Sequence, residues 1–142
     1  MPLEPGQAAT VEDVVTREVT ADALGNPGVT VFATPFVINL LEHAAHAVMV
    51  PHLAPGAASV GTAVDVRHLA ATPPGMRVRA HAILKETDGR RCLFEVEAWD
   101  EVEKIAEGRH ERFMVADLAR FLERAAAKGV ASRVARRGER KP

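Results

Sequence analysis

Residues 35–53 limit what this chain can become more than any other stretch. Phe36, Leu40, Leu41, Ala44, Ala45, Ala47 and Val48 recur at helical spacing and cover most of the circumference, so the helix they form must be enclosed on several sides. One strip interrupts the cover. Asn39, Glu42, His43 and His46 follow at i, i+3, i+4 and i+7, which gathers all four on a single polar face.

The rest of the chain supplies the enclosing layer. VEDVVTREVT (11–20) mixes β-branched and charged residues in a short alternation that predicts a first strand, and Gly25-Asn26-Pro27-Gly28 then breaks the chain. Beyond Pro51 and the turn Ala54-Pro55-Gly56, four more strands are expected. In the first, Val60, Thr62, Val64, Val66 and His68 share one face, with Asp65 and Arg67 on the other. The second, 76–87, turns Val78, Ala80, Ala82 and Leu84 inward. Asp88-Gly89 supplies a hairpin whose two central positions favour residues tolerant of positive φ. The third, 90–100, turns Cys92, Phe94, Val96 and Ala98 inward. The fourth, 104–115, is broken by Glu107, Arg109, Glu111 and Arg112 and reads as an edge or two-sided strand. A short helix follows over 116–128, with Gly129 as its stop. One buried helix and an antiparallel meander pack most economically with the sheet curled round the helix, an α+β architecture.

With 142 residues the chain fits one domain and one site, assigned to 1–130. Its 18 basic and 19 acidic side chains nearly cancel, which removes the global field that nucleic acid or an acidic partner would need. The exception is the tail, 131–142, where five basic residues face Glu139 alone. It reads as solvated and disordered, with transient phosphate or RNA contact as the other reading. No apolar run is long enough to span a membrane, and Met1-Pro2-Leu3-Glu4-Pro5 has neither a basic n-region nor an apolar h-region, so a cytoplasmic protein is expected. The single Cys92 reads as a small buried hydrophobe. No phosphate-cradling glycine loop and no aromatic stacking platform occur, which argues against nucleotide hydrolysis and nucleic-acid reading.

Three residue types in this frame suit acyl transfer. Thr34, followed by Pro35 at the expected first helical position, is either a helix cap or a hydroxyl beside the positive end of the helix, where an oxyanion would be stabilised. Glu42 is either a solvated carboxylate on the polar strip or a general base or nucleophile. His68, at the end of an apolar alternation, is either a packed residue or a proton carrier. Gly61 marks a close backbone approach, to a ligand or to the helix. His43 and His46 lack a third ligand at convincing spacing, so no metal is expected. Thr34 and Glu42 stand ~12 Å apart along a straight helix. A loop, a spanning ligand or a second chain must join them, and a second chain is preferred.

VFATPFVINLLEHAAHAV (31–48), SVGTAVDVRHLAATPPGM (59–76) and EGRHER (107–112) together resemble the fluoroacetyl-CoA thioesterases, a family of hotdog-fold hydrolases, over roughly 29–115. The resemblance is strongest at Gly61-Thr62 and at Ala70-Ala71-Thr72-Pro73-Pro74-Gly75. It implies the hotdog fold, an acyl-CoA substrate, a homodimer or larger homo-oligomer with interface sites, and no metal or redox cofactor beyond coenzyme A as part of the substrate. Thr34 would position or activate, Glu42 would attack or act as base, and His68 would drive release of the acyl group. Gly61, Phe32 and Phe36 are the expected substrate-binding residues, and Arg67, Arg77 and Arg79 are candidates for the coenzyme phosphates. The family's aromatic lid is replaced here by Gly28-Val29-Thr30, so strong fluoroacetyl selectivity is not expected. A non-catalytic acyl-CoA-binding module and a hydratase or dehydratase on the same fold are the alternatives.

Overall fold

The computed structural model describes residues 2–139. Five strands form one antiparallel sheet: β1 Ala8–Val14, β2 Ala58–His68, β3 Arg77–Thr87, β4 Arg91–Trp99 and β5 Lys104–Val115, in the order β1-β3-β4-β5-β2. Helix α1, Thr34–Met49, lies against the concave face, and α2, Leu118–Glu139, follows β5. The wrapped-helix architecture expected from the pattern is present.

Alternation builds the core. Val78, Ala80, Ala82 and Leu84 of β3 and Cys92, Phe94, Val96 and Ala98 of β4 are buried against Val37, Leu41, Ala44, Ala45 and Met49 of α1. The small alanines of β3 let the helix approach closely, and Phe94 and Met49 fill the remaining depth.

Four local expectations change. β1 starts at Ala8 and stops at Val14: Val15 still exchanges backbone bonds with Gly75 and Met76 ahead of β3, while Val19 and Thr20 turn to the segment entering α1, through Ala33 and a bridge to Phe32. Of the two readings of β5, the edge falls: it pairs with β4 on one side and β2 on the other, leaving β1 and β2 as edges. The hairpin after β3 puts only Gly89 at positive φ, since the Asp88 carboxylate accepts from the N–H groups of Arg90 and Arg91 and holds a wider loop. Helix α2 runs through Gly129 to Glu139, so neither the short helix nor the disordered tail is seen as far as Glu139. Alanine and arginine over 125–137 are strong helix formers, and one glycine costs only about 1 kcal/mol against them. The last tail residues, 140–142, lie outside the described residues.

A β-bulge in β2 between Gly61 and Ala63 reverses the facing of its first half. Ser59 and Gly61 precede it and face α1; Val64, Val66 and His68 follow it and face α1 too. Val60 and Thr62 therefore face away, not with His68 as the simple alternation suggests. One extra residue lets both ends of the strand serve the same side.

β2 and β5 touch most tightly at Gly108. A methyl group there would collide with the Asp65 carbonyl oxygen and sit 2.7 Å from the Val66 Cα, both backbone atoms with no freedom to yield. Gly108→Ala is expected to lower Tm by roughly 6 °C or more, because backbone strain in an interior strand costs on the order of 2 kcal/mol or above. Thermal melting checks it, and a Tm within about 1 °C of wild type would show that the strands separate without cost.

Candidate active site

The chain entering α1 is clamped on both sides. Phe32 donates its N–H to the Thr72 carbonyl at 2.8 Å, and Ala33 donates to Val19 at 2.9 Å. Thr72 is itself fully buried, its hydroxyl donating to Asp100 at 2.8 Å. This explains the Ala70-Ala71-Thr72-Pro73-Pro74-Gly75 segment: it anchors the start of the helix to the turn between β4 and β5.

Thr34 is not the cap. Ala33 occupies that position, Pro35 is the second helical residue, and the Thr34 hydroxyl makes no capping bond. It lies instead 2.7 Å from Nδ1 of His68. Fewer helix N–H groups are free than expected, since Pro35 has none and Phe36 donates to Ala33. His68 Nε2 is buried and has no hydrogen-bond partner among the described residues. Burial lowers the His68 pKa below the usual imidazole value, opposed by a backbone hydrogen bond with Ala70.

Glu42 belongs to a second cluster, further along the same helix. Its carboxylate accepts from Arg112 Nη1 at 3.1 Å and lies 4.0 Å from His110 Nε2. Arg112 is only 6% exposed, and it also donates through Nε to the Ser59 hydroxyl at 2.6 Å and through Nη2 to the Ser59 carbonyl at 3.0 Å. Glu42 keeps 37% of its side chain exposed, so the pair is enclosed at the guanidinium and open at the carboxylate. Gly61 makes room for it: a Cβ there would stand 2.8 Å from Glu42 Oε2 and 3.2 Å from Arg112 Nη1. The structure shows Gly61 in close approach to the helix, through the Glu42 carboxylate that α1 carries.

Within one chain, then, Thr34 and His68 meet, while Glu42 meets Arg112. Phe32 is buried in the core and Phe36 packs half-buried against it. Arg67, Arg77 and Arg79 sit on the face turned away from α1, where Arg77 pairs with Glu101 and Arg79 stacks over Trp99. His43 and His46 lie on the polar strip as expected. No group of three or more His, Cys, Asp or Glu among the described residues is arranged to hold a metal ion.

His110, Arg112 and Ser59 were missed as site residues. For His110 and Arg112 the signal was the even-numbered alternation of β5, Ala106, Gly108, His110, Arg112 and Met114, hidden by the charged odd-numbered positions; Ser59, on β2, left none. A cleft of about 600 Å³ lies elsewhere. It runs between α2 and the outer sheet face, lined by Val60, Phe113, Phe121 and others, and its hydroxyl, Thr62, is tied to the Glu111 carboxylate at 2.8 Å.

A five-stranded sheet wrapped round one helix, with its polar groups collected along the uncovered strip, defines a protein of the hotdog class. Comparison with known proteins narrows this. The family model described as fluoroacetyl-CoA-specific thioesterase matches residues 15–118. The fluoroacetyl-CoA thioesterase of Streptantibioticus cattleyicolor is 47% identical over 85 residues, 60% of this chain and 61% of that relative, so the match spans less than two thirds of the relative's length. A solved structure of the fluoroacetyl-CoA thioesterase FlK superposes with a TM-score of 0.84 at 37% identity, covering 90% of this chain and 98% of that one. A Thermus thermophilus hypothetical protein, described as a thioesterase superfamily member, gives 0.74 at 33% identity over 99% and 98%. The chain belongs to the fluoroacetyl-CoA-specific thioesterase family.

Folding weakens proton binding at three imidazoles. His46, His68 and His110 all have pKa values lowered from the usual 6.5, in each case chiefly by burial. The unfolded chain takes up these protons more readily, so acidification below about pH 6.5 favours unfolding. Tm is expected to fall between about pH 7.5 and about pH 5.5, above the range where carboxylates titrate. A Tm that holds or rises across that window would contradict the burial of these rings.

Proposed function

We propose that this protein is an acyl-CoA thioesterase that hydrolyses a short or small acyl thioester to free acid and CoA, acting as a homodimer or larger assembly with its sites at the subunit seam. Family membership supports the reaction class. The observation that carries the residue assignment is the 2.7 Å contact between the Thr34 hydroxyl and His68, on the same helix that carries Glu42 with an open carboxylate.

The chemistry divides between the two clusters. Glu42 either adds to the thioester carbonyl carbon, breaking the C–S bond to leave a mixed anhydride and a CoA thiolate that takes its proton from solvent, or takes a proton from the attacking water and passes it to the departing sulfur as the C–S bond breaks. His68, held below its ordinary pKa by burial, is a neutral base at pH 7 and suits the activation of water for release of the acyl group. Thr34 orients that ring or the substrate carbonyl. Phe36 and Gly61 border the path, and Phe32 fixes the helix entry. Arg112 is the charged partner that holds Glu42. No metal or redox group enters this scheme.

Two features favour assembly. β2 is an edge strand whose segment 61–65 is exposed beside the site, and Thr34 and Glu42 lie ~12 Å apart on an unbroken helix. A second copy across that edge would bring complementary halves to one thioester. Among the described residues no helix is long and apolar enough to cross a membrane.

Selectivity follows from the loop before α1. Gly28, Val29 and Thr30 are exposed, and no aromatic ring is present there to close over the acyl group. CoA thiol release across acetyl-, fluoroacetyl-, propionyl- and longer acyl-CoAs tests the whole reading. Wild type is expected to release thiol, with Glu42→Gln and His68→Ala each lowering kcat by about 10²-fold or more, the range typical of lost acid–base catalysis. The fluoroacetyl-to-acetyl ratio in kcat/KM is expected to stay below ~10⁴, since larger ratios need a dedicated device. Thiol release unchanged by Glu42→Gln would remove Glu42 from the mechanism, and substrate turnover without thiol would point to a hydratase.

A further inference from the structure

His110 is the buried titratable group that the proposed chemistry leaves unused. It lies on β5, 1% exposed, facing α1. Its Nδ1 stands 2.8 Å from the Ala63 carbonyl oxygen, which can only accept, so Nδ1 carries a hydrogen. Its Nε2 stands 3.1 Å from Arg112 Nη1, and a guanidinium can only donate, so Nε2 is bare. The two partners together specify one neutral tautomer. The same Nη1 donates to Glu42 Oε2 at 3.1 Å. A continuous chain of bonds therefore runs from the bulge backbone of β2 through the ring and the guanidinium to the carboxylate.

We infer that His110 is a positioning residue: its bare Nε2 aims the Arg112 guanidinium, and thereby sets where the Glu42 carboxylate is presented to the thioester. This rests on the proposed hydrolase reading and adds to it a residue that never touches substrate. The guanidinium is one rigid plane, so its placement is the joint result of the Ser59 bonds at Nε and Nη2 and of the two acceptors of Nη1, Glu42 and His110. Removing the ring acceptor leaves Glu42 as the one acceptor of Nη1, and the plane can tilt about its Ser59 anchor and carry the carboxylate with it. A second proton on the ring has a related effect. It sets N–H against N–H and makes His110 a competitor for Glu42 Oε2, 4.0 Å away. The charged groups that bear on the ring are Arg112 and Glu111 of its own strand and Glu42 of α1; β2 contributes the Ala63 carbonyl.

The test compares wild type, His110→Asn and His110→Gln by thiol release, alongside ring-nitrogen NMR of wild type. Asn retains a donor for the Ala63 carbonyl but stops short of Arg112, whereas Gln reaches it with a carbonyl acceptor. Asn is expected to lower kcat by about 10–100-fold, the usual range for lost orienting partners, with KM altered by less than about threefold. Gln is expected to recover most of that loss. NMR at neutral pH is expected to show Nδ1 protonated and Nε2 bare. Wild-type kcat in His110→Asn, equal losses in Asn and Gln that track their melting temperatures, or a protonated Nε2 would each overturn the assignment. The NMR measurement uses wild type and decides even if both variants fail to fold. A wild type that releases no thiol from any acyl-CoA would instead sink the hydrolase reading, and the ring spectrum would still report on His110.

Discussion

A guanidinium enclosed between a sheet and a helix must find acceptors, and Arg112 finds its charged one on the polar strip of α1. Stripping such an ion of its water costs several kcal/mol, so the surroundings are arranged to restore what is lost. Ser59 takes two of its donors, His110 a third and Glu42 a fourth. The remaining oddities of this region follow. Gly61 has no side chain because a Cβ would occupy the place of the carboxylate, and the bulge after it brings the Ala63 carbonyl to His110 while returning His68 to the inner face.

The same bulge ties the two clusters together. Without it, the alternation that points Ser59 and Gly61 at Arg112 would point His68 outward, away from Thr34. With it, one edge strand serves both the ion pair and the Thr34–His68 contact. Both clusters then lie along one helix face, bordered by an edge with unpaired backbone groups. Within a single chain the two clusters stay apart, and this is the observation behind the proposal that the chemistry sits at a seam between copies.

Much of the fold could be read from the residues because β3 and β4 are regular, half-buried strands. Val78 to Leu84 and Cys92 to Ala98 alternate without exception, and the helix between polar strip and apolar cover has no other interpretation. β2 and β5 resisted reading for a physical reason: their inner faces carry polar groups that are buried with partners rather than apolar groups. His110 and Arg112 look like interruptions until Glu42 and Ser59 are seen opposite them, and no pairing across 70 residues is visible in a local pattern. The bulge is equally silent, since a parity change leaves no mark beyond a glycine. At the C-terminus the local signal misleads in the other direction: Gly129 has the look of a stop, but the strong helix formers around it carry α2 through. Thr34, Glu42 and His68 were singled out by residue type and resemblance, and the structure joins only the first and last of them directly.

The central claim is that Glu42 and the Thr34–His68 pair act on one thioester. A crystal structure with a non-hydrolysable thioether analogue of acetyl-CoA tests it most directly. The atom that replaces the reacting carbon is expected within about 4 Å of a Glu42 carboxylate oxygen and beside Thr34 or His68 of the same or the neighbouring copy, since reacting atoms must approach to about 3–3.5 Å. An analogue seated in the cleft between α2 and the outer sheet face, or one whose reacting atom is remote from Glu42 in every copy, would contradict it.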